Sequence, residues 1–214
     1  MGVLCTRQLV LASRSPARLR LLQNAGFAPV AVASGLDESG YAAASTRELT
    51  TALAAAKARA VAANTSAPAL VLGCDSLLCL DGESLGKPAD EPGAVRRWRS
   101  MRGATGSLVT GHCLVDTANG REQAAVVETA VRFGNPSDAE IDAYVATGEP
   151  LEVAGAFTLD GLAGPFVDGI EGDWSNVIGL SLPAFRRLLA EHGVQVHELW
   201  SDANSNGTGD TAAQ

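Results

Sequence analysis

The sequence predicts an α/β fold built on a mixed β-sheet with helices packed against it. Apolar segments typical of strands alternate with capped helical segments over the first hundred residues, which favours parallel strands. Asn119-Gly120, a strong hairpin signal, then lies between two long apolar runs and adds antiparallel strands. With 214 residues, of which 46% are hydrophobic and 19% charged, the chain suits one large α/β domain or two small lobes.

The elements of the N-terminal half follow this alternation. Residues 8–12 are predicted to form a buried strand. Ser15 and then Pro16 are typical of a helix N-cap and a first helical residue, and Gly26 ends that helix. The elements predicted next are a strand at 29–33, a helix at 45–63 opening on a capping-box pair, a strand at 69–73 continued by 77–80, a turn at 81–82 and a helix at 91–101.

The second half contains the hairpin and two further helices. The hairpin strands are predicted at 108–116 and 121–133, and a capping-box pair opens a helix from Ser137 to about Ala146. Glycines crowd the region after it. The elements predicted last are a helix at 182–192, a strand at 194–199 and a polar, disordered tail at 201–214.

Charge and composition exclude several partners. The net charge is −8, whereas proteins that bind nucleic acids carry basic surfaces, so no nucleic-acid partner is expected. No apolar stretch is long enough to span a bilayer, and the first ten residues lack the apolar core of a signal peptide. The four cysteines show no CxxC pair or metal-ligand spacing. We therefore expect a cytoplasmic protein with reduced thiols and no membrane partner.

Lysine usage is unusual. Only Lys57 and Lys87 are lysines among 16 basic residues, and the others are arginines. Two remaining lysines could be chance in an arginine-biased sequence. They could also stand where a compact ammonium is needed beside a phosphate. The composition alone leaves both interpretations open.

The segment SRSPAR at 13–18 places hydroxyls and cations after a buried strand, at the start of a helix. Ser13 and Ser15 supply hydroxyl groups, Arg14 and Arg18 supply charge, and the helix N-terminus supplies unpaired N–H groups. These groups could cradle a phosphate. A capped helix with solvated arginines explains the same residues.

Asp75 and Glu38 are the candidate acidic groups. Asp75 directly follows an apolar strand, where it could activate water or hold a metal, and a turn at 81–82 would return Lys87 close to it. Glu38 and its neighbour Asp37 form a carboxylate pair suited to Mg²⁺. Lys57 lies on an alanine-rich helix without a carboxylate partner at helical spacing. Each residue alone has a structural explanation, but together they suit a nucleoside triphosphate with its metal.

These segments resemble the Maf family of nucleotide pyrophosphatases, related in fold to inosine triphosphate pyrophosphatases. The resemblance covers roughly residues 9–189 and rests on nine segments in family order: LASRSPARLRLL, SGLDES, AAAKARA, GCDSLL, LGKPAD, VTGH, EIDAYVATGEP, AGAFTLDG and FVDGIEGDWSNVIGLSL. It implies an elongated mixed β-sheet flanked by helices, with two lobes of one domain over residues 1–200 and a cleft between them.

The resemblance also implies a reaction and roles for the motif residues. The family cleaves a nucleoside triphosphate to the monophosphate and pyrophosphate with a divalent metal, Mg²⁺ or Mn²⁺. Asp75 matches the proton acceptor, and Glu38 matches the acidic partner that holds metal or water. The positions that match the triphosphate site are Ser13, Arg18, Lys57 and Lys87.

Several positions depart from the pattern of the dTTP- and UTP-selective members. Ala17, Ser76 and Asp160 stand where those members carry Arg, Thr and Gln, and Val153 and Gly106 replace a lysine and a histidine. The base preference therefore stays open, although Asp160 could accept hydrogen bonds from a base. The alternative function is a nucleotide-binding regulator of septum formation with little turnover. A homodimer is implied by the resemblance alone.

Overall fold

The computed structural model describes residues 7–201, which form a seven-stranded mixed sheet flanked by six α-helices. The strands are β1 Gln8–Leu11, β2 Val30–Ala31, β3 Ala69–Leu80, β4 Glu83–Leu85, β5 Thr105–Asp116, β6 Glu122–Phe133 and β7 Val167–Glu171. The helices are α1 Pro16–Asn24, α2 Thr46–Ala62, α3 Glu91–Met101, α4 Asp138–Val145, α5 Trp174–Ile178 and α6 Leu182–Glu191. The predicted fold class is confirmed.

The strand order is β2-β1-β3-β5-β6-β7, with β4 paired to β3. β1 is parallel to β2 and β3, and every other pair is antiparallel. The predicted hairpin at Asn119-Gly120 joins β5 to β6, and the predicted turn at Asp81-Gly82 joins β3 to β4. Both residues of that second turn have positive φ, 50° and 85°, as a tight two-residue hairpin requires.

Local signals fix the ends of the helices. Ser15 caps α1 by accepting a hydrogen bond from the Arg18 N–H, and Pro16 is the first helical residue. Ser137 and Glu140 form the predicted capping box on α4. Among the described residues, no helix is long and apolar enough to cross a membrane.

Two lobes share the long strands. In the first lobe the N-terminal half of β3 is buried on both faces, with Leu70 against α6 on one face and Val71 against α2 on the other. In the second lobe, Trp98 is fully buried among the aromatic rings of Phe133, Tyr144 and Phe166, and its indole N–H donates to the Ala156 carbonyl oxygen.

Two sequence expectations differ from the structure. The strand predicted at 194–199 is wrong, because a 3₁₀ turn at Val196–Leu199 replaces it. Gln195 and Glu198 form a capping box there, and this local pairing outweighs the apolar alternation that suggested a strand. The strand expected at 29–33 is only two residues long. The predicted tail, apart from Ser201, lies outside the described residues.

Candidate active site

A cavity of about 740 Å³ opens between the two lobes. Its walls come from the turn after β1, the segment 33–41, α2, the middle of β3, the residues after β4, the loop at 152–160 and the end of α5. Ten of the candidate site residues line it: Ser13, Arg14, Ser15, Arg18, Glu38, Lys57, Asp75, Ser76, Lys87 and Asp160. Asp37, the other half of the predicted carboxylate pair, is not among the lining residues, and its Oδ1 accepts a hydrogen bond from the Ser39 N–H. The structure therefore brings together segments that are more than 140 positions apart.

Lys57 joins the two candidate carboxylates. Its Nζ lies 2.6 Å from Oδ1 of Asp75 and 2.8 Å from Oε1 of Glu38. The Asp75 side chain is 10% exposed and that of Lys57 12%, whereas Glu38 is half exposed. The pair at the base of the cavity is thus shielded from solvent, and Glu38 closes over it from the open side.

Two glycines allow α2 to approach the sheet so closely. A Cβ at Gly73 on β3 would lie 2.8 Å from the Ala58 backbone nitrogen, and one at Gly111 on β5 would collide with the Thr50 backbone. The helix therefore rests on bare backbone of two neighbouring strands. This contact carries Lys57 to within hydrogen-bond distance of Asp75, which faces the same side of β3 as Gly73.

Burial raises the pKa of Asp75 above its ordinary value. The Lys57 ammonium opposes this rise through its charge and its hydrogen bond, Arg18 opposes it through its charge, and the nearby Glu38 carboxylate adds to it. A carboxylate with a raised pKa is a stronger base than an exposed one. Asp75 therefore has the chemistry of a proton acceptor.

The SRSPAR turn wraps around the mouth of the cavity. Ser13 Oγ accepts a hydrogen bond from the Ser15 N–H at 3.1 Å, which shapes the turn before α1. Arg14 is exposed on the cavity wall and makes no hydrogen bond or ion pair with any residue between 7 and 201. Of the four predicted residues in this turn, Arg14 is the one with its charge fully available to a ligand.

Arg18 is largely committed to the protein itself. Its Nε donates to the Gly179 carbonyl, Nη1 donates to Ser13 Oγ and the Cys74 carbonyl, and Nη2 donates to Ser76 Oγ at 2.8 Å. Four of the five guanidinium N–H groups are thereby used. Arg18 ties the start of α1 to β3 and to the end of α5, which leaves one N–H for a ligand.

Ser76 points to the opposite face of β3 from Asp75, as neighbours on a strand do. Its hydroxyl lies 2.9 Å from that of Thr110 and accepts from Arg18. The turn between β3 and β4 is expected to return Lys87 close to Asp75. Lys87 follows the β3–β4 hairpin and lines the cavity, but its Nζ lies 3.4 Å from Glu152. No contact joins Lys87 to Asp75. Asp160 is exposed on the cavity wall.

The charges of the cavity wall cancel. Its four cationic side chains are Arg14, Arg18, Lys57 and Lys87, and its four acidic side chains are Glu38, Asp75, Glu152 and Asp160. Glu152 is a lining residue that the sequence motifs did not single out. A highly anionic ligand would therefore need positive charge beyond what this wall supplies.

A divalent cation could supply this additional positive charge, and the carboxylates of Asp75 and Glu38 are suitable ligands for one. Their oxygens converge on the Lys57 ammonium, a cation already seated between them. No cluster of three or more His, Cys, Asp or Glu within residues 7–201 could hold a metal. Mg²⁺ commonly takes only one or two carboxylates and completes its shell with waters and substrate phosphates. The donor set suits a metal that arrives with its substrate.

The fold and this cavity define the class: an α/β protein with a charged ligand cavity between two lobes of one sheet. The sequence profile of the family described as Maf-like protein matches residues 8–192. The chain belongs to the Maf family, as its nine segments predict.

Curated relatives are similar over almost their whole length. A nucleoside triphosphate pyrophosphatase of Streptomyces coelicolor is 60% identical over 198 residues, covering 92% of this chain and 96% of the relative. One of Thermosynechococcus vestitus is 56% identical over 184 residues, covering 86% and 93%. A solved dITP/XTP pyrophosphatase of Mycobacterium abscessus shares 17% identity at a TM-score of 0.38, covering 59% of this chain and 74% of that one. That overlap is too partial to bear on the assignment.

Proposed function

We propose that this chain is a nucleoside triphosphate pyrophosphatase, which hydrolyses its substrate to the monophosphate and pyrophosphate with Asp75 as proton acceptor. Membership of the Maf family and the names of its relatives support the reaction class. The observation that carries the assignment of Asp75 is its shielded pair with Lys57 inside the cavity. A residue that only binds ligand needs no such buried base.

The residues divide the work by position. Asp75 takes the proton of the water that attacks the α-phosphorus, since pyrophosphate must leave intact. Lys57 favours the ionised form of Asp75 and orients its carboxylate, because its ammonium lies 2.6 Å from Oδ1. Arg14 and the N–H groups at the start of α1 offset the charge of the phosphates, and Arg18 holds that turn in place.

Asp75 and Glu38 are the residues that would hold a divalent cation. A nucleoside triphosphate brings about four negative charges into a cavity whose own charges cancel, so the chain alone leaves them uncompensated. A bound Mg²⁺ or Mn²⁺ supplies the missing charge and acidifies water. The Glu38 side chain is half exposed at the mouth, where it would meet an ion that enters with the substrate.

Pyrophosphate release from a panel of ordinary and modified nucleoside triphosphates tests the reaction. We expect turnover with Mg²⁺ or Mn²⁺, loss of turnover with a chelator, and restoration when the metal is added back. Tight nucleotide binding without release of pyrophosphate would instead support the nucleotide-binding regulator. Hydrolysis in ¹⁸O-labelled water locates the attack. Label in the monophosphate is expected, and label confined to pyrophosphate would contradict attack at the α-phosphorus.

A further inference from the structure

The loop at 157–162 forms one wall of the cavity, and it differs from the others in chemistry. It contributes Phe157, Thr158, Leu159 and Asp160 to the lining and carries no cation. The cationic groups stand on the β1 turn, on α2 and after β4. If the phosphates lie against those groups, the uncharged nucleoside part of the substrate is left facing this loop.

One carboxylate outside the cavity lining holds this loop. Oε1 of Glu149 accepts hydrogen bonds from the Thr158 hydroxyl at 2.6 Å and from the Leu162 N–H at 3.1 Å. It also accepts one from the Tyr144 hydroxyl at 3.0 Å, which anchors it to α4. A side chain at Gly161 would lie 2.8 Å from Oε2 of Glu149. The loop is therefore folded around this carboxylate.

Apolar packing and this carboxylate together attach the loop to the protein. Phe157 is buried in the core with its ring 5.0 Å from that of Phe133, and Leu159 packs against the same core. Three hydrogen bonds tie Thr158 and Leu162 to the Glu149 carboxylate, and the Gly164 N–H closes a local turn by donating to the Gly161 carbonyl. Burial alone would raise the pKa of Glu149, but the bonds from Thr158, Leu162 and Tyr144 hold it below its usual value. The carboxylate is thus charged at neutral pH, and each bond to it is strengthened by that charge.

We infer that Glu149 is a positioning residue for substrate selection, fixing the loop at 157–162 as the wall that contacts the nucleoside. It acts through Thr158 and the Leu162 backbone and touches no substrate itself. The inference rests on the proposed function, since it assigns the nucleoside end of that same cavity. Two tasks are thereby separated. Asp75 and Lys57 act at the reacting phosphate, whereas Glu149 positions the loop that recognises the nucleoside.

Comparing the KM of a nucleoside triphosphate with the inhibition constant of inorganic tripolyphosphate, which lacks a nucleoside, tests this separation. Inorganic tripolyphosphate carries the phosphates alone, so its inhibition constant reports only the cationic end of the cavity. We expect Glu149→Gln to raise the KM of the preferred nucleoside triphosphate about tenfold, the scale of one hydrogen bond to a charged group, and to flatten discrimination among bases. The kcat and the tripolyphosphate inhibition constant stay within about twofold.

Two further variants make the test specific. Thr158→Val removes the loop's side-chain bond to Glu149 at constant volume, and the same pattern is expected. Glu140→Gln on α4 is the control, because the Glu140 carboxylate accepts hydrogen bonds from Ser137 and none from the loop. We expect this variant to leave both the KM and the tripolyphosphate inhibition constant unchanged. Equal changes in KM and in the tripolyphosphate constant, or no change in either with both loop variants, would overturn the inference. If the wild-type protein hydrolyses no nucleoside triphosphate, the proposed function is contradicted, and the inference that rests on it is contradicted as well.

Discussion

Lys57 on α2 and Asp75 on β3 meet as a nearly buried ion pair, with 2.6 Å between Nζ and Oδ1. Burial penalises the charged carboxylate, and the ammonium offsets that penalty. Removing Lys57 therefore changes the protonation of Asp75.

Replacing the ammonium raises the pKa of Asp75 further. Lys57→Met removes both the charge and the hydrogen bond that lower it, so the carboxyl of the metal-free protein protonates at higher pH than in the wild type. Carbonyl-carbon NMR of the labelled carboxyl follows this titration directly. Lys87→Met is the matched control, because Lys87 pairs with exposed Glu152 and leaves the titration of Asp75 unchanged. An unshifted midpoint in Lys57→Met would show that the ion pair does not set this pKa.

Asp75→Asn separates catalysis from stability. We expect turnover to fall by about 10²-fold or more, the usual scale for a removed general base, while nucleotide binding by calorimetry persists. The raised pKa of Asp75 means that ionisation in the folded state costs stability, a cost incurred as pH rises through the pKa. At neutral pH the Tm of the variant is therefore equal to or above that of the wild type. Near-wild-type turnover would remove Asp75 from the role of base.

The close approach of α2 depends on the glycine in β3. Gly73→Ala places a Cβ against the Ala54 and Ala58 backbone, so the helix must shift and Lys57 with it. We expect a loss of about 1–3 kcal/mol in the free energy of unfolding, as for overpacked cores, and turnover near background. Gly40→Ala is the control, since a Cβ there meets open space. A stable, active Gly73→Ala protein would show that the sheet and helix can separate without harm.

A buried histidine links stability to pH. Burial, and then the charge of Arg18, lower the pKa of His112 to about 4, and its Nε2 accepts the Ser181 N–H at 2.8 Å. As pH falls below about 6.5, His112 binds a proton in the unfolded chain but stays neutral in the folded chain until pH approaches 4. The free energy of unfolding therefore decreases over this range. Between pH 7 and 5 we expect urea unfolding to show a loss about 1–2 kcal/mol larger in wild type than in His112→Gln. Parallel pH curves for the two proteins would contradict this.

Local signals predicted much of the fold, because they act between neighbours in sequence. The Ser15 and Ser137 caps and the Asn119-Gly120 turn each need only a few residues to form. A local signal also explains why the strand predicted at 194–199 is wrong. The capping pair of Gln195 and Glu198 favours a 3₁₀ turn over the strand that the alternation of apolar residues suggested.

The sequence predicted residues that line the cavity but not the contacts that each one makes. Motif positions identified most of the charged residues of the cavity wall, whereas their contacts depend on distant segments that no local pattern reveals. Arg18 bonds to Gly179, 161 positions away, and so reads as a free cation in the sequence alone. The loop that Glu149 holds lies in a glycine-rich region without periodicity, where contacts come only from the tertiary fold.

The scarcity of lysine has a practical consequence. Lys57 and Lys87 are the only side-chain amines in the whole sequence, and both line the cavity. An acylating ester or an aldehyde resin, which elsewhere scatters over a protein surface, would find here only these two amines and the chain's amino terminus. An ordinary amine-reactive compound would therefore label side chains of the cavity alone. Lys87, which is 59% exposed, would be modified well before the shielded Lys57.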